Sequence, residues 1–215
     1  MNVNPKNICQ EINCITGVLV EYSISNAQNF AIQRNNRVSF SDDFNISAAL
    51  KNNVAYDAMY AEMDKYNAFN MKLLDGAFVQ MMYEFDDKGL SKHRLAYLPS
   101  PALLAFEDAA TEYLDDELYL DIIMKNIVHI PIRFDYDRDC ACGVEHPASH
   151  LTLGQYKNCR IPVKAPVEPA LFIDFILRNF YHSLYTEDLQ NKIKKKFDFA
   201  ETIDANEKQL VHLYW

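Results

Sequence analysis

The sequence predicts an α+β fold, a largely antiparallel sheet packed against helices, and three observations carry that prediction. Residues 69–98 form three short apolar runs separated by Asp75-Gly76 and by Asp86-Asp87-Lys88-Gly89, the signature of a three-strand antiparallel meander. Apolar residues recur at helical spacing both before and after this meander. No internal repeat and no linker interrupts the 215 residues, which favours a single domain over 1–215.

Taken in order, Asn4 is placed to cap a helix whose first turn holds Pro5. Ile8, Ile12, Ile15, Leu19 and Tyr22 then follow at spacings of three and four, so 5–22 reads as an amphipathic helix. Residues 30–41 (FAIQ-RNN-RVSFS) read as a short hairpin, and 47–66 returns to helical spacing through Leu50, Val54, Met59 and Met63. In the meander Phe69, Met71 and Leu73 alternate with Asn70 and Lys72, Asp75-Gly76 reads as a two-residue type I′ turn, and 78–85 and 90–98 supply the other strands. Pro99-Ser100-Pro101 stops it, and 102–126 reads as an acidic helix. Further strands are expected over 128–136, 149–153 and 159–163, the last two pairing across 154–158. Pro169 opens a helix to about Tyr185 that is apolar nearly all round and therefore central, and 188–215 reads as one or two surface helices with Trp215 tucked in.

With 49% apolar residues the chain can bury a real core, and a net charge of −9 argues against indiscriminate coating of DNA. Seven acids (Glu107, Asp108, Glu112, Asp115, Asp116, Glu117 and Asp121) fall in 95–124 with no Lys or Arg among them. That stretch reads as a solvated helix face or as a docking face for a basic partner protein. The remainder is close to neutral, so an anionic ligand elsewhere is compatible with the total charge. The N-terminus lacks the basic-then-apolar layout of a signal peptide, and no apolar run approaches the roughly 20 residues a membrane helix needs. The expectation is therefore a cytoplasmic protein with reduced thiols and no membrane partner, with Cys9 and Cys14 as buried thiols.

Reactive side chains concentrate between Arg133 and Arg160 (RFDYDRDCACGVEHPASHLTLGQYKNCR), and three chemistries compete for them. Cys140, Cys142, His146 and His150 offer four zinc-type ligands in eleven residues, although Cys-x-Cys is tighter than the usual spacing and Pro147 prevents one helix from carrying both His. Asp135 and Asp137, on one face of a strand, could join the two His at a manganese, iron or zinc centre. A divalent metal is thus the one cofactor the sequence raises. The third reading needs none: Arg133 and Arg160 clamp a phosphate while His146 and His150 exchange protons, with His93, Arg94, Tyr83 and Tyr97 completing the site if that sheet face abuts the loop. His150-Leu-Thr152-Leu has the form seen in two-histidine phosphoesterases, but those enzymes carry it twice and here it occurs once. No Gly-x-Ser-x-Gly elbow, Walker loop or dinucleotide glycine fingerprint is present, and the 192–196 lysine run reads as a solvated face before it reads as a nucleic-acid contact.

The motifs R-x-D-Y-D, H-P-x-S-H-L-T-x-G and C-R-I-P-V, followed by a Pro-led apolar helix ending in F-Y, resemble a family of bacterial proteins of about this length without assigned function. The resemblance is densest over 133–181. It implies that Arg133, Asp135, His146, Ser149, His150 and Arg160 belong to the family's motif, and that Cys140 and Cys142 do not. Such families often sit in prokaryotic defence or toxin–antitoxin loci.

Two function classes follow. The first is a nucleic-acid-directed, nuclease-like component of a defence or mobile-element system, with His146 and His150 as acid/base pair or metal ligands, Arg133 and Arg160 as phosphate clamps, and Asp135 orienting a His or binding metal. The second is a non-catalytic interaction protein in which the same residues form a structural polar network and the acidic 107–121 segment docks a partner.

Overall fold

The computed structural model describes residues 3–41, 54–101, 130–156 and 158–215. The expected acidic helix over 102–126, with its docking face, lies outside these residues, as does the first part of the expected 47–66 helix.

Helix α1 (Pro5–Glu21) starts as the sequence requires: Asn4 Oδ1 accepts the Asn7 N–H at 2.9 Å and Pro5 occupies the first turn. It buries Ile8, Ile12, Ile15 and Leu19, and it stops where Ser23 turns to φ +56° and the Ile24 N–H closes onto the Leu19 carbonyl. The short strand β1 (Ser25–Gln28) was not foreseen; the hairpin β2 (Ile32–Arg34) and β3 (Arg37–Ser39) was, and its turn uses Asn35 at φ +52°. Helix α2 (Tyr56–Lys65) precedes the meander β4 (Met71–Leu73), β5 (Phe78–Asp86) and β6 (Gly89–Leu98).

The first meander turn corrects the two-residue expectation. The Leu73 N–H reaches the Ala77 carbonyl, leaving three residues in the loop, with Gly76 in the left-handed region at φ +82° and Asp75 Oδ1 accepting the Ala77 N–H. Glycine is required there: a Cβ would also come within 3.3 Å of Ser100 and of the Tyr60 hydroxyl.

Strands β7 (Ile132–Asp137), β8 (Ser149–Leu153) and β9 (Ile161–Pro162) extend the same open sheet, ordered β1-β4-β5-β6-β7-β8-β9 with β3 also pairing β5 and β2 pairing β3; all these ladders are antiparallel. Helix α3 (Pro169–Phe180) ends five residues before the expected Tyr185 and is amphipathic: Ala170, Phe172, Ile173, Ile176 and Leu177 are buried, while Asp174 and Arg178 pair on the other side.

The C-terminal region departs furthest from expectation. Only Glu187–Lys192 is helical (α4), with a 3-10 turn at Glu207–Gln209. The rest is an extended strap that finishes the sheet edge. The Thr202 and Ile203 N–H groups donate to the Lys164 carbonyl, and Leu213 bridges Val163 in parallel, which leaves Trp215 half-buried. Unpaired edge groups of a short last strand are thereby satisfied.

Alternation along the strands divides the molecule into two layers of side chains. Val79, Met81, Tyr83, Leu95, Tyr97, Ile132, Phe134 and Leu151 face α1 and α3 in the main core. Phe78, Met82, Ala96 and Leu98 face the other way, into a smaller cluster with Met59, Tyr60 and Met63 of α2. Among the described residues no helix is long and apolar enough to cross a membrane. Cys9 is only half-buried and Cys14 is exposed, contrary to expectation.

Candidate functional site

Sheet register assembles the site. Arg94, Asp135 and His150 are direct partners across β6, β7 and β8, and Arg133 stands opposite Thr152 in the adjacent row. Their β7 neighbours Ile132 and Phe134 join the core beneath α3, where Phe134 meets Phe172 and Phe175 edge-on, so Arg133, Asp135 and His150 share the face turned away from α3.

Asp135 is the centre. Arg94 Nε donates to Oδ1 at 3.0 Å and Arg133 Nε to Oδ2 at 2.5 Å, with side-chain exposures of 35%, 18% and 12% for Arg94, Arg133 and Asp135. Burial opposes ionisation of Asp135, but the two guanidiniums outweigh it and hold the carboxyl below its ordinary range. His150 Nε2 lies 3.9 Å from Asp135 Oδ2, and the His150 side chain is 5% exposed. Its Nδ1 is 2.9 Å from the Pro147 carbonyl. A carbonyl only accepts, so the neutral ring carries its proton on Nδ1 and presents the lone pair at Nε2. Burial lowers the His150 pKa, outweighing the Pro147 carbonyl and Asp135, which favour protonation.

The β7–β8 loop delivers the second imidazole. His146 Nδ1 lies 2.6 Å from the Cys140 carbonyl, and the His146 and His150 ring centres are 5.2 Å apart. Arg160, just before β9, donates to the Glu145 carbonyl at 3.0 Å and braces the loop, and its charge helps keep His150 neutral. The structure therefore gathers Arg133, Asp135, His146 and His150, sets Arg160 beside them, and adds Arg94.

Other candidates are placed elsewhere. Asp137 shares the face but belongs to the next row, where Lys92 Nζ binds it at 2.7 Å and the Asp139 and Cys140 N–H groups donate to it. The Cys140 thiol also bonds Asp137, which raises its pKa. Among the described residues no three His, Cys, Asp or Glu side chains converge as metal ligands, so the proposed zinc set Cys140, Cys142, His146 and His150 is not assembled in this geometry. His93, Tyr83 and Tyr97, expected to complete the site, point to the opposite face. The Val167 N–H donates to His93 Nε2 at 2.9 Å and Tyr83 donates to the Val167 carbonyl at 2.8 Å, while Tyr97 contacts the Tyr181 hydroxyl, which donates to Asp75. Three lysines of the 192–196 run are engaged by acids: Lys192 by Glu21, Lys195 by Asp198 and Lys196 by Glu11.

Sequence reasoning missed the central place of Arg94 and the pairing of Lys92 with Asp137. Period-two alternation on β6 was the available signal, since it separates Lys92 and Arg94 from His93 once the core-facing residues Leu95 and Tyr97 are recognised.

An open, mostly antiparallel sheet with helices on its faces and a polar constellation across β6–β8 defines an α+β protein. The chain belongs to the DUF2290 family, described as an uncharacterized conserved protein, whose profile matches residues 23–215. No curated protein and no solved structure matches it.

Proposed function

We propose that this protein is nucleic-acid-directed and performs nuclease-like phosphodiester chemistry at the Arg133–Asp135–His146–His150–Arg160 cluster, with Arg94 as a further member. One observation carries the reading: Arg94 and Arg133 both grip Asp135 through Nε, beside an imidazole whose bare nitrogen is fixed. Held by Nε, the Arg133 guanidinium has its orientation set while its two terminal nitrogens remain a two-pronged donor, the geometry that suits phosphate oxygens. Among the described residues the Arg133 guanidinium makes no hydrogen bond besides the one to Asp135. Asp135 thus acts as the orienting anchor rather than a metal ligand. The defence or mobile-element setting belongs to the same proposal and rests on the family resemblance alone.

The test is cleavage of end-labelled single- and double-stranded RNA and DNA by wild type, His150→Ala and Arg133→Ala, with melting temperatures measured in parallel. Loss of one proton-transfer group typically costs about 10²–10⁴ in rate. Cleavage that falls by at least about 100-fold in His150→Ala, with the melting point within a few degrees, supports the reading. Full activity in that variant, or none in wild type, sinks it. Metal analysis of protein purified without chelator runs alongside. About one equivalent, lost from a His146→Ala/His150→Ala variant, would make the loop a metal centre through Cys140, Cys142, His146 and His150 instead.

The enclosure of His150 favours a second reading, an interaction protein whose cluster is a structural network. On that reading His150→Ala lowers the melting point by many degrees and wild type cleaves nothing.

A further inference from the structure

We infer that the substrate is RNA and that its own 2′-hydroxyl is the nucleophile; this rests on the phosphodiester reading above. Two imidazoles stand 5.2 Å apart, each with Nδ1 against a main-chain carbonyl, so both rings offer Nε2 for proton exchange. That is an acid/base pair set in advance. His150 is the more enclosed, and burial favours its neutral form, which assigns it the base role; the half-buried His146 on the loop is the acid. Asp135, 3.9 Å from His150 Nε2, stabilises the imidazolium that results.

Among the described residues, Ser149, Cys140 and Thr152 do not offer the two imidazoles a nucleophile. Ser149 points to the other face of β8, where its hydroxyl accepts from Thr202. The Cys140 thiol is tied to Asp137 and its pKa is raised, which disfavours the thiolate. Thr152 is buried in the neighbouring row and, among the described residues, makes no hydrogen bond to either imidazole. A substrate that brings its nucleophile next to the phosphorus fits these groups, and a ribonucleotide does so.

The step balances within the site. His150 Nε2 takes the 2′-hydroxyl proton, the 2′-oxygen–phosphorus bond forms, and the phosphorus–O5′ bond breaks as protonated His146 gives its Nε2 proton to O5′. Arg133 binds the non-bridging oxygens. The products are a 2′,3′-cyclic phosphate and a 5′-hydroxyl, and solvent restores both imidazoles.

The experiment uses the full chain with a DNA oligonucleotide carrying one ribonucleotide, beside its all-DNA counterpart and an all-RNA version. Cleavage only 3′ of ribonucleotides, leaving 2′,3′-cyclic phosphate ends, with both His150→Gln and His146→Gln at least about 100-fold slower, is the expected result. Equal cleavage of the all-DNA strand, or 3′-hydroxyl and 5′-phosphate ends, overturns this inference while leaving the phosphodiester reading intact. No cleavage of any of the three substrates by wild type overturns both.

Discussion

His93 and Arg94 are neighbours on β6, yet they join two polar assemblies on opposite faces of the sheet. His93 sits beneath the helices, its ring between Tyr83 and Tyr136, and binds the backbone of Val167 just before α3. Glu168 continues that assembly: its Oε2 accepts the Lys196 and Phe197 N–H groups, stitching the C-terminal strap to the start of α3. These partners are main-chain groups, and the ring and carboxylate replace backbone hydrogen bonds that the irregular 164–168 and 195–197 segments cannot supply for themselves. Arg94, by contrast, binds the Asp135 side chain, and the grouping it joins contains three cations (Arg94, Arg133 and Arg160), one anion and two titratable rings. The first assembly holds segments together. The second concentrates reactive groups on a partly open surface.

Substitutions should separate the two. The largest effect on stability is expected from Asp135→Ala, which leaves two guanidiniums without their common partner. Removing one member of a buried pair costs about 3–5 kcal/mol. The loss here should lie near the lower end, since Arg94 is 35% exposed and reaches water. Urea unfolding measures it, and a change below about 1 kcal/mol would mean that the ion pairs are solvent-screened. His93→Ala should follow at about 3 kcal/mol, from the cavity and the orphaned Val167 N–H together. His93→Phe keeps the ring volume and should recover about half of that. Neither His93 variant should alter cleavage per folded molecule, whereas His150→Ala should abolish cleavage in the molecules that remain folded. A His93 variant that folds and is inactive would erase the distinction between the faces.

The elements legible in the sequence are those whose information is local. The Asn4-Pro5 cap, the alternation of 69–98 and the Pro169 start each act within a few residues and appear as expected. The C-terminal strap was not legible, because its conformation is set by partners far away in sequence: the Lys164 carbonyl for Thr202 and Val163 for Leu213. Helical propensity in 188–215 is overridden by the edge groups that the sheet leaves there. The site was legible in composition, since five of its six members fall between Arg133 and Arg160. Its sixth, Arg94, enters through the β6–β7 register, which the 33 residues between Leu98 and Ile132 conceal. Placing His93 in that site failed for a related reason: composition showed a polar pair, and only strand phase shows that its two members part company.

The smallest expected effect is also the most diagnostic of the sealed assembly. Burial pushes Glu168 up from an ordinary 4.5 to about 7, against the pull of the Phe197 and Lys196 N–H groups and Lys195, while Glu11 pushes the same way as burial. Burial pulls His93 down from an ordinary 6.5 to about 3. The signs oppose one another. A raised carboxyl contributes stability that is full below about pH 4.5 and is lost as pH rises through about 7, because the folded state holds a proton the unfolded chain has released. A depressed imidazole contributes stability that is full above about pH 6.5 and is lost as pH falls toward about 3. Between about pH 4.5 and 6.5 the two slopes offset, so wild-type stability should be nearly level there and decline from about pH 6.5 to 7.5 as Glu168 ionises. Glu168→Gln keeps an acceptor for the Phe197 N–H and removes the charge, so its stability should rise with pH through the level region and lose the decline above it. A melting series from pH 4.5 to 8 on both proteins reads this directly. Parallel curves would show that Glu168 ionises as freely in the folded chain as in the unfolded one, and that the strap is held by its N–H contacts without any sensitivity to the proton.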